Sequence, residues 1–424
     1  MIRTRRKQND GTMSTTVVRR HRPDYQILLY MVLLMMLGLI IMYAIGPQRA
    51  NVLNFAYGTD YYGSTYFFLK QTTSLFLAMV AFIIAATVPY QFFQKHAGKI
   101  LLTGFAASAL LMIFGNLFHV EAIAQCSLGA CRWFNLGPLG SFQPAELLKF
   151  GMLLFAAGFL GTRAKQGLIN DWSQTLLPFG AVVITAMIAI VGIQKDMGTG
   201  IALAAILGAM LLIAGLKLRI GALLVGVAIL FGVVFILIAP HRIDRVTTFL
   251  SGDSTSIDDA GSYHIAHAKL AIGSGGLTGV GIGNSVQATG YLPEAINDSV
   301  FAIMGETFGF VGLVAILALF TALLLRLLKI ADHLLDIRQK VLVIGVFGWL
   351  AAHVMLNVGA MIGIFPLTGI TLPLLSFGGT SLIFIAAALG LTFQLSRYTA
   401  FGKRLDDASL NWRQKAGSRR RSRA

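Results

Sequence analysis

The sequence predicts an all-α polytopic membrane protein of about ten transmembrane helices, with a long external loop between the seventh and eighth. Three observations predict it. Of 424 residues, 56% are hydrophobic and only 12% charged, whereas soluble proteins carry roughly 25% charged residues. Ten apolar segments follow one another, each close to the ~20 residues needed to cross a bilayer. Their connections alternate, short and basic on one side, long and rich in turn residues on the other.

A basic arm, residues 1–26, opens the chain without an evident cleavable signal. The apolar segments lie at about 27–46, 71–89, 100–117, 146–161, 173–193, 197–216, 220–239, 300–325, 341–361 and 378–397, and a basic tail, residues 399–424, follows. Residues 27–398 are read as one ten-helix domain. With both termini in the cytoplasm, 26 of the 34 Lys and Arg fall on the cytoplasmic side, and eleven of the 18 carboxylates lie outside or at outer helix ends. This is the positive-inside pattern. The net charge of +16 sits at helix ends and tails, so membrane lipid, and no nucleic acid, is the expected partner of the basic segments.

The outer connections, residues 47–70, 118–145 and 240–299, are long. A loop as long as the last is unusual unless it is functional or partly structured, and residues 264–271 within it read as a short amphipathic helix. Cys126 and Cys131 share the second connection. A disulfide there would close a short loop and add little, and two cysteines without a nearby histidine pair do not make a metal site.

The chemistry concentrates in residues 291–306, where Glu294, Asp298 and Glu306 stand at the entrance to an apolar helix. Ionisable groups at a membrane boundary are costly to desolvate and mark function. If Pro293 opens a helix, Glu294 and Asp298 share one face, and Asp298 is the expected base. Gln143, Glu146 and Lys149 open the fourth segment, where Glu146 and Lys149 form either a self-satisfied ion pair or the lining of a polar cavity. Arg132 and Trp133 lie upstream as a cation and an interfacial ring. Lys195 and Asp196 join segments five and six. Asn357 and Ser376 stand among the glycines and prolines of segments nine and ten, where non-helical backbone at membrane depth implies a polar site. The glycine-rich run 273–283 lacks the strand and lysine of a nucleotide loop. It is either a loop whose amides meet a lipid-linked diphosphate or a tight re-entrant fold. Asn297-Asp298-Ser299 matches a glycosylation sequon by chance.

These residues together resemble the SEDS family (shape, elongation, division and sporulation), the polytopic peptidoglycan glycosyltransferases. The likeness covers about residues 27–398 with several motifs in order. The family's Gln-Pro-Ser-Glu motif falls on Gln143 to Glu146 with Ala145 in place of Ser. Its Gln-Pro-Asp-x-Gly-Thr falls on Gln194 to Thr199 with Lys195 in place of Pro. Its Ser-Tyr-Gly-Gly-Ser-Ser falls on Ser376 to Ser381 with Phe377 and Thr380 substituted. The residues from Gly281 to Ala295 look like the division branch more than the elongation branch, although Gly290 stands where many division members carry Glu.

The resemblance implies a SEDS-type fold and polymerisation of lipid II, an undecaprenyl diphosphate-linked disaccharide peptide, into glycan strands on the outer face of the bacterial inner membrane during septal wall synthesis. It implies Asp298 as catalytic base, with Arg132, Trp133, Gln143, Glu146, Lys149, Lys195, Asp196, Glu294, Glu306, Asn357 and Ser376 around the substrate. A magnesium or manganese ion near Asp298 is compatible with this but marked by no ligand spacing. The implied partners are a class B penicillin-binding protein transpeptidase and other divisome proteins. Two other readings stand beside it. One is a lipid II flippase using Glu146, Lys149, Glu306 and His353 as a relay, and the other is a noncatalytic divisome scaffold.

Overall fold

The computed structural model describes residues 22–120, 122–127, 130–137, 140–237 and 260–399. Most of the N-terminal arm, the first part of the longest loop and the C-terminal tail therefore lie outside the described residues. Within them, nine helices are long and apolar enough to cross a membrane. They are α1 (Tyr25–Tyr57), α2 (Tyr66–Thr87), α3 (Tyr90–Leu111, extended by a π turn), α4 (Pro144–Gln166), α5 (Leu177–Met187, flanked by π turns), α6 (Met197–Ala214), and later α9 (Val300–His333), α10 (Ile337–Met361) and α11 (Gly379–Leu395). The apolar helix α7 (Leu218–Leu237) stands where the seventh span is expected, and α8 (Ala260–Ser274) lies in the long loop. The fold is an all-α membrane bundle, as the sequence implies.

Helix starts and stops follow local chemistry. Asp24, Asp171, Asp196 and Asp336 are N-caps whose carboxylates accept from N–H groups of the following turn, satisfying donors that a helix start leaves unpaired. Gly58, Gly167 and Gly215 close α1, α4 and α6 in the left-handed region. The helices α4, α10 and α11 are the most deeply buried and form the centre. Small residues bring backbones together there. A Cβ at Gly104 would lie 2.9 Å from Leu148 Cα, and one at Gly390 would lie 2.5 Å from Phe82 O.

Four expectations need correction. The first helix does not end near residue 46: it continues through Pro47 to Tyr57, so residues 47–57 are helix that packs on the 283–290 loop. Gln48 Nε2 donates to Gly283 O at 3.2 Å, and a Cβ at Gly290 would meet Val52 at 3.2 Å. The eighth span runs on to His333, which places Arg326 and Lys329 on the helix rather than in a loop. Residues 118–145 are not all loop: β1 (Ala124–Ser127), β2 (Ala130–Asn135) and β3 (Ser141–Phe142) form an antiparallel sheet in that order. A disulfide joins Cys126 to its cross-strand partner Cys131. Finally, Pro293 opens no helix. Residues 293–299 are successive turns, Glu294 is left-handed (φ 49°), and α9 starts at Val300, so Glu294 and Asp298 do not share a helix face.

The glycine run resolves as a re-entrant fold. Helix α9 breaks at Gly309 (φ 68°, ψ −169°), and a break at membrane depth strands backbone groups that must find partners. The loop supplies them. Val280 and Gly281 N–H donate to the carbonyls of Glu306 and Thr307, at 2.9 and 3.1 Å. Phe310 and Val311 N–H donate to those of Gly276 and Leu277, at 2.9 and 3.1 Å. Such contact leaves no room for side chains. A Cβ at Gly275 would lie 2.0 Å from Gly305 O, and one at Gly279 2.2 Å from Thr307 O. The amides of Val280 and Gly281 are thus committed to α9 rather than presented to a diphosphate.

Candidate active site

The starts of α4, α6, α9 and α11 converge at the end of the bundle that carries the long loops. At the opposite end, Asp24 N–H donates to Ser396 Oγ and Arg326 pairs with Asp24, joining the two chain ends. At the loop end, Gln143 Nε2 donates to Asp196 Oδ2 at 3.0 Å, and Gln143 N–H donates to Thr380 Oγ1 at 3.2 Å. Phe377 N–H donates to Ile296 O at 2.8 Å. The motifs that the sequence spreads over more than two hundred residues therefore meet in one place.

Asp298 is half-buried on the turn before α9. Asn357 of α10 holds it from behind: its Nδ2 donates to Asp298 O at 2.7 Å and to Ile370 O at 2.8 Å. The turn closes on itself through Asn297 and Ser299 N–H groups donating to Glu294 O, at 2.9 and 3.2 Å. Glu294 is exposed; its carboxylate accepts from Asn297 Nδ2 and lies 3.9 Å from Arg49. Ser376 Oγ accepts from Leu372 N–H at 2.8 Å, and its carbonyl accepts from Gln71 Nε2 at 3.3 Å. Ser376 thus shapes the connection that α11 needs in order to start beside Asp298.

Beneath the turn lies a buried charged set. Lys149 Nζ is 2.7 Å from Glu146 Oε1, 3.4 Å from His353 Nε2, and 4.9 Å above the Trp349 ring. Lys149 has only protons to give, so His353 accepts at Nε2 and donates at Nδ1 to Thr371 O, 3.3 Å away. Glu146 and Lys149 thus satisfy much of each other, and through His353 they brace the 370–376 segment that Asn357 also holds.

The second hub is Asp196. It caps α6 by accepting from Thr199 N–H and Oγ1, at 2.9 and 2.8 Å. Gly198 packs under Thr368, whose carbonyl would lie 2.6 Å from a Cβ. Lys195 is left-handed (φ 52°). Arg132 on β2 forks onto this turn, with Nε donating to Gln194 O at 3.2 Å and an Nη to Lys195 O at 2.9 Å. Trp133, next on the strand and opposite Gln125, is half-buried. Glu306 stands apart from Asp298's turn: its carboxylate accepts from Ser285 Oγ at 2.5 Å and from the N–H groups of Val286 and Gln287 at 3.0 and 3.3 Å. It folds the 285–288 loop. Sequence reading missed Gln71, His264 and Ser299, which no local pattern marks and only tertiary contact reveals.

Four helix starts add partial positive charge where they converge, beside a carboxylate held by its backbone. That combination suits an anionic, phosphate-bearing substrate and a proton transfer. Comparison with known proteins shows the family. The FtsW/RodA/SpoVE family model, described as "Cell cycle protein", matches residues 25–400. The chain is 31% identical over 386 residues to "Stage V sporulation protein E" of Bacillus subtilis, covering 90% of this chain and 99% of that protein. It is 35% identical over 343 residues to the "Probable peptidoglycan glycosyltransferase FtsW" of Escherichia coli O6:H1, covering 80% and 79%. Among solved structures, a chain from "Structural coordination of polymerization and crosslinking by a peptidoglycan synthase complex" superposes with a TM-score of 0.67 at 24% identity, covering 88% of this chain and 98% of that one. The rod shape determining protein RodA of Thermus thermophilus gives 0.59 at 24%, covering 90% and 98%.

Proposed function

The chain belongs to the FtsW/RodA/SpoVE family of cell cycle proteins, and from that premise we propose that it is the glycosyltransferase that polymerises lipid II at the outer face of the inner membrane. Positive-inside charge supports the orientation, with both termini cytoplasmic. The observation that carries the chemistry is the anchoring of the Asp298 carbonyl by Asn357, which ties it to Ile370 O, at the convergence of four helix starts. A sugar hydroxyl is a weak nucleophile, and a positioned carboxylate can take its proton as it attacks the anomeric carbon. The departing lipid diphosphate needs positive charge rather than a proton. The helix starts and Lys195 supply it, while Arg132 clamps the turn that carries Lys195. One carboxylate acting as base suits direct displacement with inversion.

A magnesium or manganese ion bound to the diphosphate would take Asp298 as its protein ligand. Among the described residues no group of three metal-ligating side chains gathers to cage one, so the substrate's oxygens would complete its shell. The transpeptidase partner of class B type is supported by the fold shared with a peptidoglycan synthase complex chain. The septal role and further divisome partners belong to the same proposal, and the description of the family as a cell cycle protein is what favours them. A flippase relay would use the buried Glu146–Lys149–His353 set, from which Glu306 stands apart, bonded to the 285–287 loop.

The test is polymerisation of labelled lipid II by the purified protein with its transpeptidase, read as a glycan ladder. Asp298→Asn is expected to lower the rate at least ~100-fold while the protein stays folded. Equal ladders from both would remove Asp298 from the reaction. Lipid II crossing vesicle membranes without any ladder would favour transport.

A further inference from the structure

One element grips both ends of the loop that presents Asp298. Helix α8 carries His264 and His267, three residues apart and so on one face. His267 Nδ1 lies 2.8 Å from Gln287 Oε1, and its ring is nearly parallel to Tyr291, with centroids 6.2 Å apart. His264 Nε2 lies 2.6 Å from Ser299 Oγ. The helix is keyed in place at its C-terminal end, where Ile272 and the following Gly275 pack against Gly305 of α9. It is a fixed strut, not a floating interfacial segment.

The hydrogen bonds assign the protons. Ser299 Oγ donates to Pro293 O at 2.8 Å, which uses its one proton. It can only accept from His264, so Nε2 carries a proton. Ser299 is the N-cap of α9, yet its side chain makes no capping bond, where a cap serine would ordinarily accept from a first-turn N–H. The hydroxyl is diverted backwards, and the diversion pins residue 299 to residue 293 across Asp298. Both Ser299 and His264 are buried.

We propose that His264 is a positioning residue for the glycosyl transfer: its Nε2–H holds Ser299 in the diverted rotamer, and so holds the turn that aims Asp298. This rests on Asp298 being the base. Without that donor the Ser299 hydroxyl turns to the N–H groups of the first turn of α9, Pro293 O is released, and the carboxylate loses its aim while the substrate contacts remain.

The experiment compares His264→Gln, His264→Leu, Ser299→Ala, the His264→Leu/Ser299→Ala double variant and Asp298→Asn in lipid II polymerisation, each with a melting temperature. His264→Leu and Ser299→Ala are expected to lower kcat about tenfold, with KM within twofold of wild type. The double variant is expected to be no slower than either single one, because both remove the same bond. His264→Gln, whose amide can donate from a similar place, is expected to keep most of the rate. A merely structural histidine would not give this split and rescue. His264→Leu at the wild-type rate, with Asp298→Asn dead, overturns the positioning role alone. Asp298→Asn at the wild-type rate removes the reading beneath it. A folded His264→Gln as slow as His264→Leu overturns the Nε2–H assignment. Should His264→Leu not fold, an unslowed Ser299→Ala overturns the proposal by itself.

Discussion

Lys149 holds its ammonium 2.7 Å from the Glu146 carboxylate, one turn back on the same helix, and neither side chain is exposed. A buried pair adds little over an apolar pair of the same shape, but breaking it strands a charge. Lys149→Met should therefore lower stability on the order of 3–5 kcal/mol, and Glu146→Gln together with Lys149→Met should recover most of that. Thermal unfolding in detergent measures both. A double variant that melts as low as the single one would mean that the contacts of Lys149 with His353 and Trp349, not charge balance, set its worth.

The glycine run gives a sharper contrast, because two of its left-handed glycines differ in their surroundings. Gly279 (φ 83°) has Thr307 O where a Cβ would go, and Gly283 (φ 84°) has nothing within 4 Å. Gly283→Ala should cost only the left-handed backbone, roughly 1–2 kcal/mol. Gly279→Ala must also push α9 away from the loop and should abolish accumulation of folded protein. Expression yield and melting temperature of the two variants check it. Equal behaviour would mean that the loop does not seat on α9 as described.

What was legible in the sequence follows from what is local. Spans are set by runs of apolar residues, so the nine membrane-length helices among the described residues were visible, and the Glu146–Lys149 spacing announced its ion pair. Pro293 is ambiguous in sequence because a proline fits the first turn of a helix and a tight turn equally well. The choice fell to Ser299, bonded to His264 of α8, and to Asp298, whose carbonyl is held by Asn357 of α10. The break in α9 was equally hidden: Gly309 looks like any glycine in a membrane helix until the 276–281 loop supplies its missing partners. Strands in residues 124–142 escaped notice because they are short.

At the opposite end, Asp336 caps α10 and joins it to α4 through Lys165, 2.9 Å away. Burial works to raise the pKa of its carboxyl, but hydrogen bonds from Lys165 and the Arg338 N–H outweigh it and hold the pKa below 3.8. A lowered folded-state pKa means stability that is present above the unfolded value and lost as pH falls through the folded one. Asp336→Asn keeps a capping oxygen and removes the charge. Its deficit should be below ~1 kcal/mol at pH 7, because both groups are partly exposed, and should vanish as pH falls below 3.8. Melting temperatures of variant and wild type from pH 7 to pH 3 test this. A deficit that persists in acid would place the effect in the cap alone.

Arg132 separates two ways of serving the site. Its guanidinium forks onto the Gln194 and Lys195 carbonyls, which clamps the disulfide-tied hairpin to the turn that starts α6. A cation meeting a lipid diphosphate needs only charge, whereas a clamp needs the fork, and Lys keeps the first without the second. Arg132→Lys is expected to behave like Arg132→Ala, with faster hydrogen exchange at residues 194–199 and a several-fold loss of polymerisation rate. Each charge-assisted bond lost is worth roughly 1.5–3 kcal/mol locally. If Arg132→Lys polymerises like wild type while Arg132→Ala does not, charge alone is what the reaction takes from this position, and the fork onto the α6 turn is incidental.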